Sequence, residues 1–155
     1  MSEVLALEHA AIHVSDIEES RRFYQDLLGL EVVQYVEHDG GAIDELCAIK
    51  GVYLKEYRMR PPKGPGPAGK APGFTLDLLQ IARPAGEVKR PLINDVPIAH
   101  FAFGVKDLRA TYERLKAAGV EFVSPPVTFS EAEGGWRVVF FRDPDGHLLE
   151  LTQVD

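Results

Sequence analysis

The chain has 155 residues, of which 45% are hydrophobic, and this length and composition fit one domain with its own core. Its formal net charge of −7, from 24 acidic and 17 basic residues, argues against nucleic acid or an anionic membrane as a partner. The single cysteine, Cys47, and the lack of a signal-like N-terminal segment predict a cytoplasmic location.

The first predicted strand, residues 7–14, is repeated later in the chain. The stretch EHAAIHVSD, residues 8–16, aligns without a gap with AHFAFGVKD, residues 99–107, and brings His9 onto His100. In each copy the histidine alternates with small residues along one strand face, while the other face is apolar. Each half of the chain therefore begins with a histidine on a face that leaves room for a bound group.

A helix is predicted after each of these two strands. Ser15 or Asp16 can cap a helix over residues 17–28, which Gly29 ends, and Asp107 can cap a helix in the second half. Apolar residues recur at helical spacing in both segments. We therefore expect each helix to cover the apolar face of the strand before it.

Three further strands are predicted in each half. In the first half they cover residues 30–37, 52–59 and 74–81, with an amphipathic insert between the first two. In the second half they cover residues 121–123, 136–141 and 147–153, and the tight-turn sequence RDPDG precedes the last. Each half thus reads as strand, helix and three strands. The halves cover about residues 5–82 and 98–155, and a connector over 83–97 joins them into a single domain, 1–155.

The segment over residues 61–73 interrupts this pattern. Nine of its 13 residues are Pro or Gly, which predicts a loop. Arg58, Arg60, Lys63 and Lys70 flank or occupy it in an otherwise acidic chain. We consider two interpretations: a lid that brings positive charge to an anionic substrate, and a solvated loop.

These features together resemble the vicinal oxygen chelate superfamily, which includes glyoxalase I, bleomycin resistance proteins and extradiol dioxygenases. The matching stretches are EHAAIHVSDIEESRRFYQDLLGLEVV, IAHFAFGVKDLRATYERLKAAGVEFV and FRDPDGHLLELTQ. The resemblance implies an α+β fold, in which two βαβββ modules form a curled, cup-like mixed β-sheet with helices on the outside. It also implies one divalent metal ion in the cup.

By the same resemblance, His9, His100 and Glu150 match the family's metal ligands. Asp77 occupies the position of a fourth ligand, where glyoxalase-like members have Glu. Because Asp is one methylene shorter, Asp77 is either a direct ligand or a partner that reaches the metal indirectly. Two imidazoles with one or two carboxylates suit zinc, nickel, cobalt, manganese or ferrous iron.

Three other residues are candidates for contact with substrate. His13 shares the strand face of His9 but lies roughly 13 Å further along it, which is too far for the same metal. Tyr57 could line the cup or pack against a partner subunit. Arg58 would contribute positive charge.

Three functions fit this set of residues. The first is an isomerase or lyase of the glyoxalase type, in which the metal stabilises an enediolate and Glu150, or Asp77, moves a proton between neighbouring carbons. The second is an extradiol, ring-cleaving dioxygenase with Fe(II) held by His9, His100 and Glu150. The third is a non-catalytic binding or resistance protein. We expect a small-molecule substrate and a homodimer, with the cup formed within one chain or across the dimer.

Overall fold

The computed structural model describes residues 8–62, 74–96 and 98–154, apart from the side chain of Glu133. The chain divides into two units, Met1–Val88 and Lys89–Asp155, and the dividing point lies in the segment predicted as a connector. Most of the predicted Pro/Gly loop, from Lys63 to Gly73, lies outside the described residues, as do the two lysines of the predicted lid.

The first unit has one four-stranded mixed sheet. Its elements are strand β1 (His9–His13), helix α1 (Ile17–Arg22) with a π-helical turn (Phe23–Leu27), strand β2 (Glu31–Asp39), helix α2 (Ala42–Cys47), strand β3 (Tyr53–Arg60) and strand β4 (Thr75–Arg83). The strand order is β1-β4-β3-β2, in which β1 runs parallel to β4 and the other pairs are antiparallel. The amphipathic insert is thus a short helix between β2 and β3.

The second unit repeats this topology. Its elements are strand β5 (His100–Val105), helix α3 (Leu108–Ala117), strand β6 (Val127–Thr128), a 3-10 turn (Glu131–Glu133), strand β7 (Arg137–Arg142) and strand β8 (Leu148–Gln153). The order is β5-β8-β7-β6, again with the first and last strands parallel. The α+β fold of two βαβββ modules, predicted from the sequence, is confirmed.

The predicted strand over residues 121–123 differs from the structure. Only an isolated bridge joins Phe122 to Phe141, although the backbone of Glu121 and Val123 still bonds to β7. Regular pairing begins at Val127, after two consecutive prolines. Proline cannot donate a ladder hydrogen bond, so the strand forms only beyond them.

Aspartate caps fix the start of the two longer helical segments. Asp16 Oδ1 accepts hydrogen bonds from the backbone N–H groups of Glu18 and Glu19, each at 2.9 Å. Asp107 Oδ1 accepts from Ala110 N at 2.8 Å. Of the two caps considered for the first helix, Asp16 is therefore the one used.

Burial separates the two faces of each sheet. Ile12 and Val14 on the first strand are buried, whereas His9 and His13 are exposed. Helix α1 contacts β3 and β4, and α3 contacts β8, whose buried face carries Leu149 and Leu151. We call the opposite face, which bears His9 in the first unit and His100 in the second, the histidine face.

Replacing the helix cap should destabilise the first unit measurably. Asp16→Ala leaves two helix N–H groups without their side-chain acceptor, so we expect the free energy of unfolding to fall by about 1 kcal/mol. Asp16→Asn keeps an acceptor oxygen and should lose much less. Urea denaturation of both variants measures the difference, and equal losses would contradict the capping role.

Candidate functional site

In the second unit, His100 and Glu150 are brought together by parallel strand pairing. Ala102 lies directly opposite Glu150, and His100 lies two residues before Ala102 on the same face. His100 Nε2 is 3.3 Å from Glu150 Oε2, and the two side chains are 47% and 16% exposed. Because Leu149 and Leu151 are buried on the other face, Glu150 lies on the histidine face, as its neighbours predicted.

Phe140 on β7 completes this arrangement. It lies opposite Glu150 in the antiparallel register, and its ring meets the His100 imidazole edge to face, with 5.1 Å between centroids. An edge-to-face contact of this kind restrains the orientation of the imidazole. The sequence analysis missed Phe140, since only the register between β7 and β8 places it there.

In the first unit, Asp77 occupies the place of Glu150 but has a different partner. Asp77 lies opposite Ala11 on β1 and opposite Arg58 on β3. Arg58 Nε lies 3.2 Å from each carboxylate oxygen, and Arg58 Nη2 lies 3.0 Å from Oδ2. Arg58 Nη2 also contacts Glu56 Oε1 at 3.4 Å. Arg58 therefore engages both oxygens of the predicted fourth ligand.

This ion pair is unequally buried. The Asp77 side chain is 3% exposed, whereas that of Arg58 is 38% exposed. The hydrogen bond and charge of Asp77 raise the pKa of Arg58 further above its ordinary value, so the guanidinium stays charged. The Asp77 carboxylate is thus paired with a permanently charged guanidinium, a contact that the sequence did not predict.

The two histidines of strand β1 remain accessible. His9 and His13 are both exposed on β1, opposite Thr75 and Leu79. They share the histidine face with Asp77, whose strand lies beside theirs. The first unit therefore presents one histidine at the position equivalent to His100.

Tyr57 lies on the opposite face of the first sheet. Its hydroxyl donates to Glu18 Oε1 at 2.8 Å, which fastens β3 to α1, and its ring lies 4.5 Å from that of Tyr35. Burial, followed by the bond to Glu18, raises the Tyr57 pKa. The structure thus gives Tyr57 a contact with helix α1, and its contact with substrate stays a prediction.

The donor atoms of His100 and Glu150 are placed suitably for part of a metal site. At metal–ligand bonds of about 2.1 Å, donors 3.3 Å apart subtend roughly 105°, so one ion can bind His100 and Glu150 together. Asp77 does not fit in the same way, because Arg58 covers its oxygens. Within the described ranges, no three side chains of His, Cys, Asp or Glu are grouped closely enough to hold an ion.

No helix among the residues that the structure describes is long and apolar enough to cross a membrane.

Comparison with known proteins identifies relatives of this chain. A sequence model described as the Glyoxalase/Bleomycin resistance protein/Dioxygenase superfamily matches residues 6–151. A probable lactoylglutathione lyase of Synechocystis sp. is 26% identical over 148 residues, covering 96% of this chain and 95% of that protein. A 2-epi-5-epi-valiolone epimerase of Actinomyces sp. is 24% identical over 160 residues, covering 97% and 80%.

Solved structures show the same fold. The crystal structure of a glyoxalase family protein from Bacillus cereus matches with a TM-score of 0.82, covering 98% of this chain and 95% of that one. Its sequence is 18% identical, so the likeness concerns the fold alone.

Replacing Arg58 should destabilise the protein more than replacing Asp77. Arg58→Met leaves a buried carboxylate unpaired, and we expect the free energy of unfolding to fall by about 2–3 kcal/mol. Asp77→Asn leaves a cation that water can reach, so its cost should be about 1 kcal/mol. Urea denaturation without added metal measures both changes.

Arg21→Met provides the control, because it removes an exposed arginine–glutamate pair on α1. Such surface pairs contribute less than about 1 kcal/mol. A loss in Arg58→Met no larger than in this control would show that the buried pair does not stabilise the unit.

Proposed function

The chain belongs to the Glyoxalase/Bleomycin resistance protein/Dioxygenase superfamily, and on that premise we propose that it is a divalent-metal-dependent lyase or isomerase of the glyoxalase type. The observation that carries this proposal is the pair of His100 and Glu150, whose donor atoms lie 3.3 Å apart on an accessible face. Relatives named as a lyase and an epimerase support enzymatic chemistry rather than passive binding.

We propose His9, His100 and Glu150 as the metal donors. His100 and Glu150 are supported by their separation, and His9 by its equivalent place at the start of the first unit. Neutral imidazole and carboxylate donors accept zinc, nickel, cobalt, manganese or ferrous iron. The identity of the ion is therefore a matter for measurement.

A bound divalent ion would act as a Lewis acid on neighbouring oxygens of the substrate and stabilise negative charge that develops there. Glu150 is the proposed base that takes a proton from the carbon beside a carbonyl and returns it to the adjacent carbon. Its limited exposure protects the carboxylate from bulk water. Phe140 holds the His100 ring in place through the edge contact.

The proposed substrate is a small molecule with oxygens on adjacent carbons. The described part of the predicted lid does not strengthen the case for an anionic substrate, because Arg58 pairs with Asp77 and Arg60 lies 3.6 Å from Glu31. Lys63 and Lys70 fall outside the described residues. Negative charge on the substrate thus stays a sequence-based proposal.

A second candidate function is ring cleavage by an extradiol dioxygenase. The observation that favours it is the engagement of Asp77 by Arg58, since the other proposed donors are two histidines and one carboxylate. That set matches the facial triad of ferrous iron oxygenases. Iron in the purified protein and oxygen consumption with catechol would favour this candidate over the first.

We also propose that the protein works as a homodimer in the cytoplasm. The location rests on the single cysteine, which cannot form an internal disulfide, and the dimer on family resemblance. Native mass measurement tests the assembly directly, and a monomer at working concentration would contradict it.

Glu150→Gln should abolish both metal binding and proton transfer. We expect bound zinc, measured by elemental analysis of untagged protein, to fall below a tenth of the wild-type content, since the amide is a poor ligand. Deuterium incorporation next to the carbonyl of lactoylglutathione in D₂O, followed by NMR, should slow by about 10²–10⁴-fold.

Glu113→Gln is the matched control, because Glu113 is an exposed carboxylate on α3 of the same unit. It should keep wild-type metal content and exchange rate. Wild-type metal content in Glu150→Gln would overturn the proposed donor set, and wild-type exchange would overturn its role as base.

A further inference from the structure

We propose that Arg58 withholds Asp77 from any bound metal, so that the first unit offers no carboxylate at the position where the second unit offers Glu150. The inference rests on the proposed metal-dependent function and concerns how the first unit contributes to it. It gives Arg58 the role of a positioning residue that sets the composition of the metal centre.

The geometry of the ion pair supports this role first. The guanidinium meets the carboxylate side-on through Nε and Nη2, so that each oxygen of Asp77 accepts a charge-assisted hydrogen bond. Such paired contacts are among the strongest hydrogen bonds in proteins. Asp77 would have to break these hydrogen bonds to turn towards an ion.

Reach and burial support it next. Asp77 has one methylene fewer than Glu150, and its side chain is 3% exposed against 16% for Glu150. The carboxylate therefore lies closer to the backbone of its strand and deeper beneath its neighbours.

The comparison between the two units identifies the residue responsible. Arg58 and Phe140 occupy equivalent positions, each on the third strand of its sheet opposite the carboxylate of the last strand. Phe140 offers no hydrogen-bond donor from its side chain, and Glu150 contacts His100 instead. Arg58 offers donors, and Asp77 contacts Arg58.

Zinc titration of the full-length, metal-stripped protein tests the proposal. Asp77→Asn should bind zinc within about threefold of wild type, since Asp77 is not a ligand. Arg58→Met should bind zinc at least about tenfold more tightly, because the freed carboxylate becomes an additional ligand. The double variant Arg58→Met/Asp77→Asn should return to the wild-type affinity.

Cobalt(II) absorption provides a readout that does not depend on activity. Arg58→Met should change the intensity of the visible bands, because coordination number sets that intensity, and the double variant should restore the wild-type spectrum. Arg60→Met is the matched control, since Arg60 lies on the same strand and pairs with Glu31 instead. It should bind zinc and cobalt as wild type does.

The outcomes separate this inference from the proposed function. Loss of zinc affinity in Asp77→Asn as large as in Glu150→Gln would show that Asp77 is a ligand and would overturn the inference. Unchanged affinity and spectrum in a folded Arg58→Met would also overturn it. If Arg58→Met does not fold, the Asp77→Asn titration alone decides. Unimpaired zinc binding in Glu150→Gln would instead refute the proposed function.

Discussion

Parallel pairing between the first and last strands of each unit is the constraint on which the candidate site depends. It sets Ala11 opposite Asp77 and Ala102 opposite Glu150, so that a histidine and a carboxylate share one face in each unit. Side chains alternate between faces along a strand. A shift of one residue in one of the paired strands would therefore move its histidine or carboxylate to the opposite face of the sheet. The apolar residues of the opposite face prevent such a shift, because they must pack against the helix.

Within this common frame, one residue on the third strand determines how each carboxylate is used. A carboxylate beneath the surface needs a cation or several donors, because desolvation of an unpaired charge is expensive. Arg58 meets that need for Asp77, whereas Glu150 retains some exposure and lies beside an imidazole. The duplicated halves have kept the same backbone register while their chemistry has diverged.

The sequence predicted the fold well because its strongest signals are local. Alternation along the first strands, the Asp16 and Asp107 caps and the RDPDG turn are each contained in a few neighbouring residues, and the structure bears them out. The partner of Asp77 could not be predicted in this way. The Pro/Gly-rich stretch of the sequence separates Arg58 from Asp77, and only the pairing register of β3 with β4 brings the two residues together. The face on which Tyr57 lies depends on the same register.

The unequal burial of the ion pair links stability to the proposed metal chemistry. Because Asp77 is nearly inaccessible, its carboxylate depends on Arg58 for a compensating charge, so the effects of substitutions at the two positions are coupled. An apolar residue at position 58 would favour a longer, more exposed acid at position 77, which is the combination that Phe140 and Glu150 show in the second unit. Replacing Arg58 by phenylalanine and Asp77 by glutamate together would therefore preserve the fold while adding a donor. On this argument, the number of carboxylates available to a metal is set by packing beside the ligand strand as much as by the ligand positions themselves.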